Sequence, residues 1–168
     1  MEVLKKFQSS RGVAIIKSKD ITRTHRDRLL LNGFIREVIK GWYISTRPDE
    51  KKGDSTSWFT SFWHFIPVYC NERFGQEWCL SPEQSLAIHI GNFSVPKQLL
   101  VRAPKGKNNK IELIHGTSLF DIKSSMPPEE NIIQKDGLNL YTVPAALISC
   151  SPVYFARYPI DARIALMM

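Results

Sequence analysis

Four closely spaced basic side chains, Arg23, His25, Arg26 and Arg28, are the groups in this 168-residue chain best arranged for one chemical task. Guanidinium and imidazole donors on the opening turns of a helix suit phosphate oxygens and the acceptor edge of guanine in a DNA major groove. Arg36, Lys40 and Arg47 follow, spaced to hold phosphates beside such a helix. The chemistry is recognition, not bond-making. Its charge setting agrees: residues 1–52 carry thirteen Lys and Arg against six Asp and Glu, whereas residues 53–168 carry ten against ten. The whole excess of +7 therefore lies in the first third, where each cation placed near a phosphate would release condensed counterions. A solvated basic face would have the same composition.

Groups that could carry catalysis do not converge. No phosphate-binding glycine loop, zinc-protease or deaminase signature, or nucleophile elbow is present. His25, His64, His89 and His115 are scattered, and Glu129-Glu130 in a proline-rich segment reads as a solvated acidic pair. Cys70, Cys79 and Cys150 are odd in number and lack metal-ligand spacing, so reduced buried thiols of a cytoplasmic protein are expected. The reading is of a chain that is not an enzyme, uses no cofactor and binds no metal. No secretory leader and no membrane-spanning run is visible, so no membrane partner is expected.

The elements that must position the basic side chains lie at Arg28–Ser45, RLLLNGFIREVIKGWYIS. Thr22 or Thr24 caps a helix over His25–Leu31, and Asn32-Gly33 ends it, because glycine takes the left-handed backbone conformation without steric cost. Phe34–Ile39 and Trp42–Ser45 then form strands around a Lys40-Gly41 turn. A helix followed by a hairpin fits the tail of a winged helix, and it equally fits a helix on any small sheet. Upstream, Glu2–Gln8 has helical spacing, Val13–Ile16 suits a buried strand, and Ser18 can cap a short turn over Lys19–Ile21. Little chain is left between Ile16 and Leu29 for two full helices, so an abridged unit is expected.

Arg47–Gly53 is polar and rich in turn formers and is expected to end a domain at residue 52. Beyond it, Asp54 or Ser55 caps a helix to about Arg73 that is apolar on nearly every face. Such a helix is core or meets a partner, and Trp58, Phe62 and Trp63 are the residues expected at a partner surface. Ser81-Pro82-Glu83-Gln84 has the form of a capping box opening a helix over Pro82–His89. Lys97–Ala103 and Lys110–His115 are expected as a hairpin around a lysine-bearing loop, with further strands at Thr117–Ile122 and Gly137–Val143 and an irregular loop at Ser124–Asn131. Pro144 opens a helix, and Ile160–Met168 reads as the first turns of an apolar helix in a longer protein. The fold expected is α+β: a small N-terminal winged-helix unit over 1–52, then an α/β domain over 53–168 with a mostly antiparallel sheet.

Taken in order, NGFIREVIKGWYIS, LSPEQSLAIHIGNFSVPKQLLVRAP and DGLNLYTVPAALIS resemble the AbiEi-type antitoxins and related winged-helix transcriptional regulators. GDSTSWFTSFWHFIPVYCNERFG and HGTSLFD are similar to the region preceding the catalytic domain in bacterial Fic, or cell filamentation, proteins. The resemblance implies an N-terminal winged helix that binds operator DNA and a second domain that engages a cognate toxin or a Fic domain. The Fic signature HPFx(D/E)GNGR is absent from the chain, so nucleotidyl transfer is not expected of it.

Overall fold

The structure is a computed structural model that describes residues 14–51 and 53–168. The helix expected over Glu2–Gln8 and the start of the Val13–Ile16 strand lie outside the described residues. The chain is α+β and divides into two compact units, one of residues up to Tyr69 with Glu112–Gly116, the other of Cys70–Ile111 with Thr117–Met168. The segment expected to end a domain, 47–53, thus lies within the first unit.

In the first unit, strand β1 (Ile15–Lys17) passes through a single 3-10 turn at Ser18–Asp20 into helix α1 (Arg23–Leu31). Thr22 caps α1, its hydroxyl accepting from the His25 amide at 3.4 Å, and the chain leaves the helix at Asn32-Gly33. Strands β2 (Ile35–Ile39) and β3 (Trp42–Ser45) follow, and the sheet order is β1-β3-β2 with both pairings antiparallel. The alternation of β-branched and aromatic residues places Ile16, Ile35 and Tyr43 inside with Ala14, and Ile21, Leu29 and Phe34 close over them. A fully buried isoleucine such as Ile16 contributes about 1.5–3 kcal/mol.

Helix α2 (Thr56–Phe74) begins in the first unit and ends in the second. Its start is held by carboxylates: Asp54 Oδ1 accepts from the Thr56 amide and hydroxyl at 2.9 and 2.7 Å, and Glu50 accepts from the Ser57 amide and hydroxyl at 3.2 and 2.9 Å. Trp58, Phe62 and Phe65 are completely buried, and Trp58 packs edge-on against the other two. The expected docking surface is therefore corrected: Trp58 and Phe62 are core and offer nothing to a partner, while Trp63 is half-buried.

The second unit comprises β4 (Cys79–Leu80), α3 (Pro82–His89), β5 (Gln98–Ala103), β6 (Asn109–Glu112, whose last residue falls in the first unit), β7 (Ser118–Lys123), β8 (Ile132–Lys135), β9 (Leu138–Tyr141), α4 (Val143–Ser149), α5 (Pro152–Arg157) and α6 (Pro159–Leu166). The hairpin expected between β5 and β6 does not form. The sheet order is β4-β5-β7-β6, and β5 pairs in parallel with β7, Leu99 opposite Leu119. Burial explains the choice, since Leu99, Val101, Ala103 and Leu119 are all fully buried.

The polar 104–108 loop is built for this crossing. Gly106 lies so close to β7 that a Cβ there would stand 2.8 Å from the Ile122 carbonyl, and no other residue fits without movement. The buried Asp121 carboxylate accepts from the Lys107 and Asn109 amides at 3.1 and 2.7 Å and from Arg73 Nη2 at 2.7 Å. Burial raises its pKa, but the bonds from Asn109, Arg73 and Lys107 outweigh that and hold it below the usual carboxylate range.

Helix α3 starts where the serine-proline pair places it, with Ser81 Oγ accepting from the Gln84 amide at 3.2 Å. The reciprocal half of a capping box is replaced, because the Ser81 amide donates to the Leu100 carbonyl at the sheet edge. Helices α3, α4, α5 and α6 share a core with Leu86, Tyr141, Ala145, Ala146, Tyr154, Ala162 and Ala165, whose alanines let the helices approach closely. Beside it, β8 and β9 form a separate antiparallel hairpin.

Candidate nucleic-acid interface

Helix α1 has no fully buried residue. Only Leu29 and Arg26 are half-buried, so Arg23, Thr24, His25, Asp27 and Arg28 stand exposed to solvent. The elements that hold the helix there are the Thr22 cap, the Gly33 turn, and Leu29 against the sheet. What remains outward is a short display of donors together with Asp27 and the exposed Leu30 and Leu31.

Asp27 interrupts that display. Its carboxylate accepts from Arg26 Nε and Nη2 at 3.1 and 3.0 Å and faces Arg23 Nε at 3.6 Å. Arg26 is thereby occupied, while His25 and Arg28 have no side-chain partner among the described residues. Exposed pairs of this kind contribute only about 0–1 kcal/mol, so a phosphate can displace Asp27 from Arg23.

Arg36 is placed differently from expectation. Its Nη1 donates to the Asp54 carbonyl at 2.7 Å and lies 3.2 Å from His115 Nε2, while Nη2 lies 3.5 Å from Glu50 Oε2. A guanidinium only donates, so His115 accepts through Nε2. With the Glu50 side chain almost fully buried, Arg36 secures β2 to the start of α2 within the first unit, and the role of a phosphate holder is corrected to a structural one. Asp54 is kept below the usual carboxylate range, chiefly by its bond from the Thr56 hydroxyl.

Lys40 is exposed at the tip of the β2-β3 hairpin and Arg47 is exposed just beyond β3. The tip is short and braced: the Gly41 amide donates to Glu37 Oε1 at 3.0 Å and its carbonyl accepts from the Ser18 amide at 2.9 Å. A rigid turn presents Lys40 at little entropic cost. The other histidines are elsewhere: His64 is half-buried on α2, and His89 Nε2 lies 2.7 Å from the Tyr141 carbonyl. Among the described residues no cluster of His, Cys, Asp and Glu could hold a metal ion, and no helix is long and apolar enough to cross a membrane.

Sequence reasoning missed the Glu50–Arg36–His115 group, whose members are far apart in the chain and carry no local signal. No family model, curated protein or solved structure matches the chain.

Proposed function

We propose that the chain is a DNA-binding regulator of a bacterial toxin–antitoxin or Fic-type system, acting in the cytoplasm by recognition and not by catalysis. In this reading the first unit is an abridged winged helix. The Ser18–Asp20 turn stands for its second helix, α1 for the reading helix, and the β2-β3 hairpin for the wing. The observation that carries the reading is the sheet order β1-β3-β2 with an exposed basic helix between β1 and β2.

Arg23, His25 and Arg28 enter the major groove, with Arg26 joining once Asp27 releases it. Lys40 and Arg47 take phosphates. The test compares duplex DNA from upstream of the chain's own gene with a scrambled duplex of equal length at one salt concentration. Preference for the upstream duplex of tenfold or more, reduced to unity by Arg28→Ala, is expected. Equal affinity for both duplexes would remove the regulator reading.

A second reading is favoured by the apolar surface of the C-terminal helices, where Val153, Ile160 and Leu166 are 61%, 73% and 68% exposed. There the second unit docks on a cognate toxin or a Fic domain. Charged substitutions at Ile160 and Leu166 would abolish that complex while leaving DNA binding intact.

A further inference from the structure

Arg102 is a cation without a counter-charge. It alternates with the buried Val101 and Ala103 on β5, so its side chain leaves the sheet on the opposite face from them. Nη1 donates to the Tyr141 hydroxyl at 2.9 Å, and the guanidinium carbon lies 5.8 Å from the centre of that ring. Nε is shut off from water and has no hydrogen-bond partner. No carboxylate pairs with the group among the described residues. With Nε enclosed, Nη2 is the donor left to meet an oxygen of a carboxylate or phosphate.

The surroundings are those of a binding cavity. Arg102 and Tyr141 line an open hollow of about 450 Å³, bordered by the 124–128 segment, Asn131 and helix α4. That volume is in the range of small-molecule sites, and no Asp or Glu lines it. Ser124, Ser125 and Asn131 add polar groups, while Pro127, Pro144 and Ile148 supply an apolar wall. Tyr141 is fixed at the back by its bond to Arg102 and by the Cys79 thiol beside its hydroxyl.

We propose that this cavity binds a small organic anion, a carboxylate or phosphate monoester received by Nη2 of the uncompensated Arg102 guanidinium, with its apolar body against Pro127, Pro144 and Ile148. The site lies wholly in the second unit and is independent of the nucleic-acid reading.

The test is an NMR titration of the full chain with benzoate, phenyl phosphate and, as the uncharged control, benzyl alcohol, following the Arg102 Nε–H signal and the backbone amides. Saturable shifts at Arg102 and residues 124–131 with at least one of the two anions, and none with benzyl alcohol, are expected. Benzoate against phenyl phosphate tells which head group the guanidinium prefers. Arg102→Gln weakens binding tenfold or more, and Ile148→Trp, which crowds the wall without touching the guanidinium, does the same. Absence of saturation with both anions, shifts confined to residues 22–31, or unchanged binding by Arg102→Gln would overturn the proposal. Should Arg102→Gln misfold, unchanged binding by Ile148→Trp overturns it equally.

Discussion

Replacing Asp121 by alanine should destabilise the second unit by about 3 kcal/mol at neutral pH. The figure follows from what the carboxylate holds: two loop amides, Lys107 and Asn109, and the Arg73 guanidinium. The loop is exposed, so water recovers part of each bond, and each orphaned amide costs about 1 kcal/mol, the low end of the usual range. Losing this bond to Arg73 adds about another 1 kcal/mol, because that side chain is itself partly exposed, which places the total near the lower edge for a broken buried pair.

Urea unfolding followed by circular dichroism reads the loss, and hydrogen exchange at the Lys107 and Asn109 amides reads it locally. The pH dependence has a definite sign. Because the folded pKa of Asp121 is depressed, its contribution is complete above the unfolded value of about 3.9 and disappears as pH falls through the folded value. The gap between wild type and Asp121→Ala should therefore be full at pH 7 and shrink below about pH 4. A variant within about 0.5 kcal/mol of wild type at pH 7, the size of an ordinary surface substitution, would refute the reasoning.

Asp27→Ala should tighten DNA binding by about 0.5–1 kcal/mol at low salt, since it frees Arg23 and Arg26 and removes a charge that repels phosphate; a titration showing weaker binding contradicts this. Arg36→Ala should cost about 1–3 kcal/mol of stability, measured by thermal unfolding, through its lost bonds to the Asp54 carbonyl, Glu50 and His115, and should leave the salt dependence of DNA binding unchanged. Burial pushes the Cys79 thiol up to about 11 and the Cys150 thiol up to about 12, and raises Cys70 further still. All three should resist a thiol reagent at pH 8 in the folded protein and react in denaturant, so rapid native labelling of any of them would count against the packing described.

The parts of the fold legible in the sequence are those whose cause is local. Thr22, Asn32-Gly33 and Ser81-Pro82 mark helix ends by backbone chemistry that acts within a few residues, and the helices begin or end there. The β5/β7 pairing was hidden because its cause is distant. A lysine-rich loop between two strand-like runs has hairpin composition, and the burial of Leu99, Val101, Ala103 and Leu119, the close approach of Gly106 to Ile122 and the reach of Asp121 together explain why the chain crosses instead. Strand β8 had a readable signal, since Asp136 and Gly137 take positive φ between β8 and β9, the chemistry of a two-residue hairpin turn. In the candidate site, exposure of Arg23, His25 and Arg28 follows from their helix, whereas the capture of Arg36 by Glu50 and His115 depends on tertiary neighbours that no local pattern announces.

The most direct test of nucleic-acid recognition by the first unit is the slope of log binding constant against log salt for the wild type and a Lys40→Ala/Arg47→Ala double variant on duplex DNA. The account predicts affinity that falls steeply with salt for the wild type, with a slope smaller by about 2 in the variant, close to 0.9 for each phosphate contact removed. Binding that ignores salt, or a variant with the wild-type slope, would contradict it.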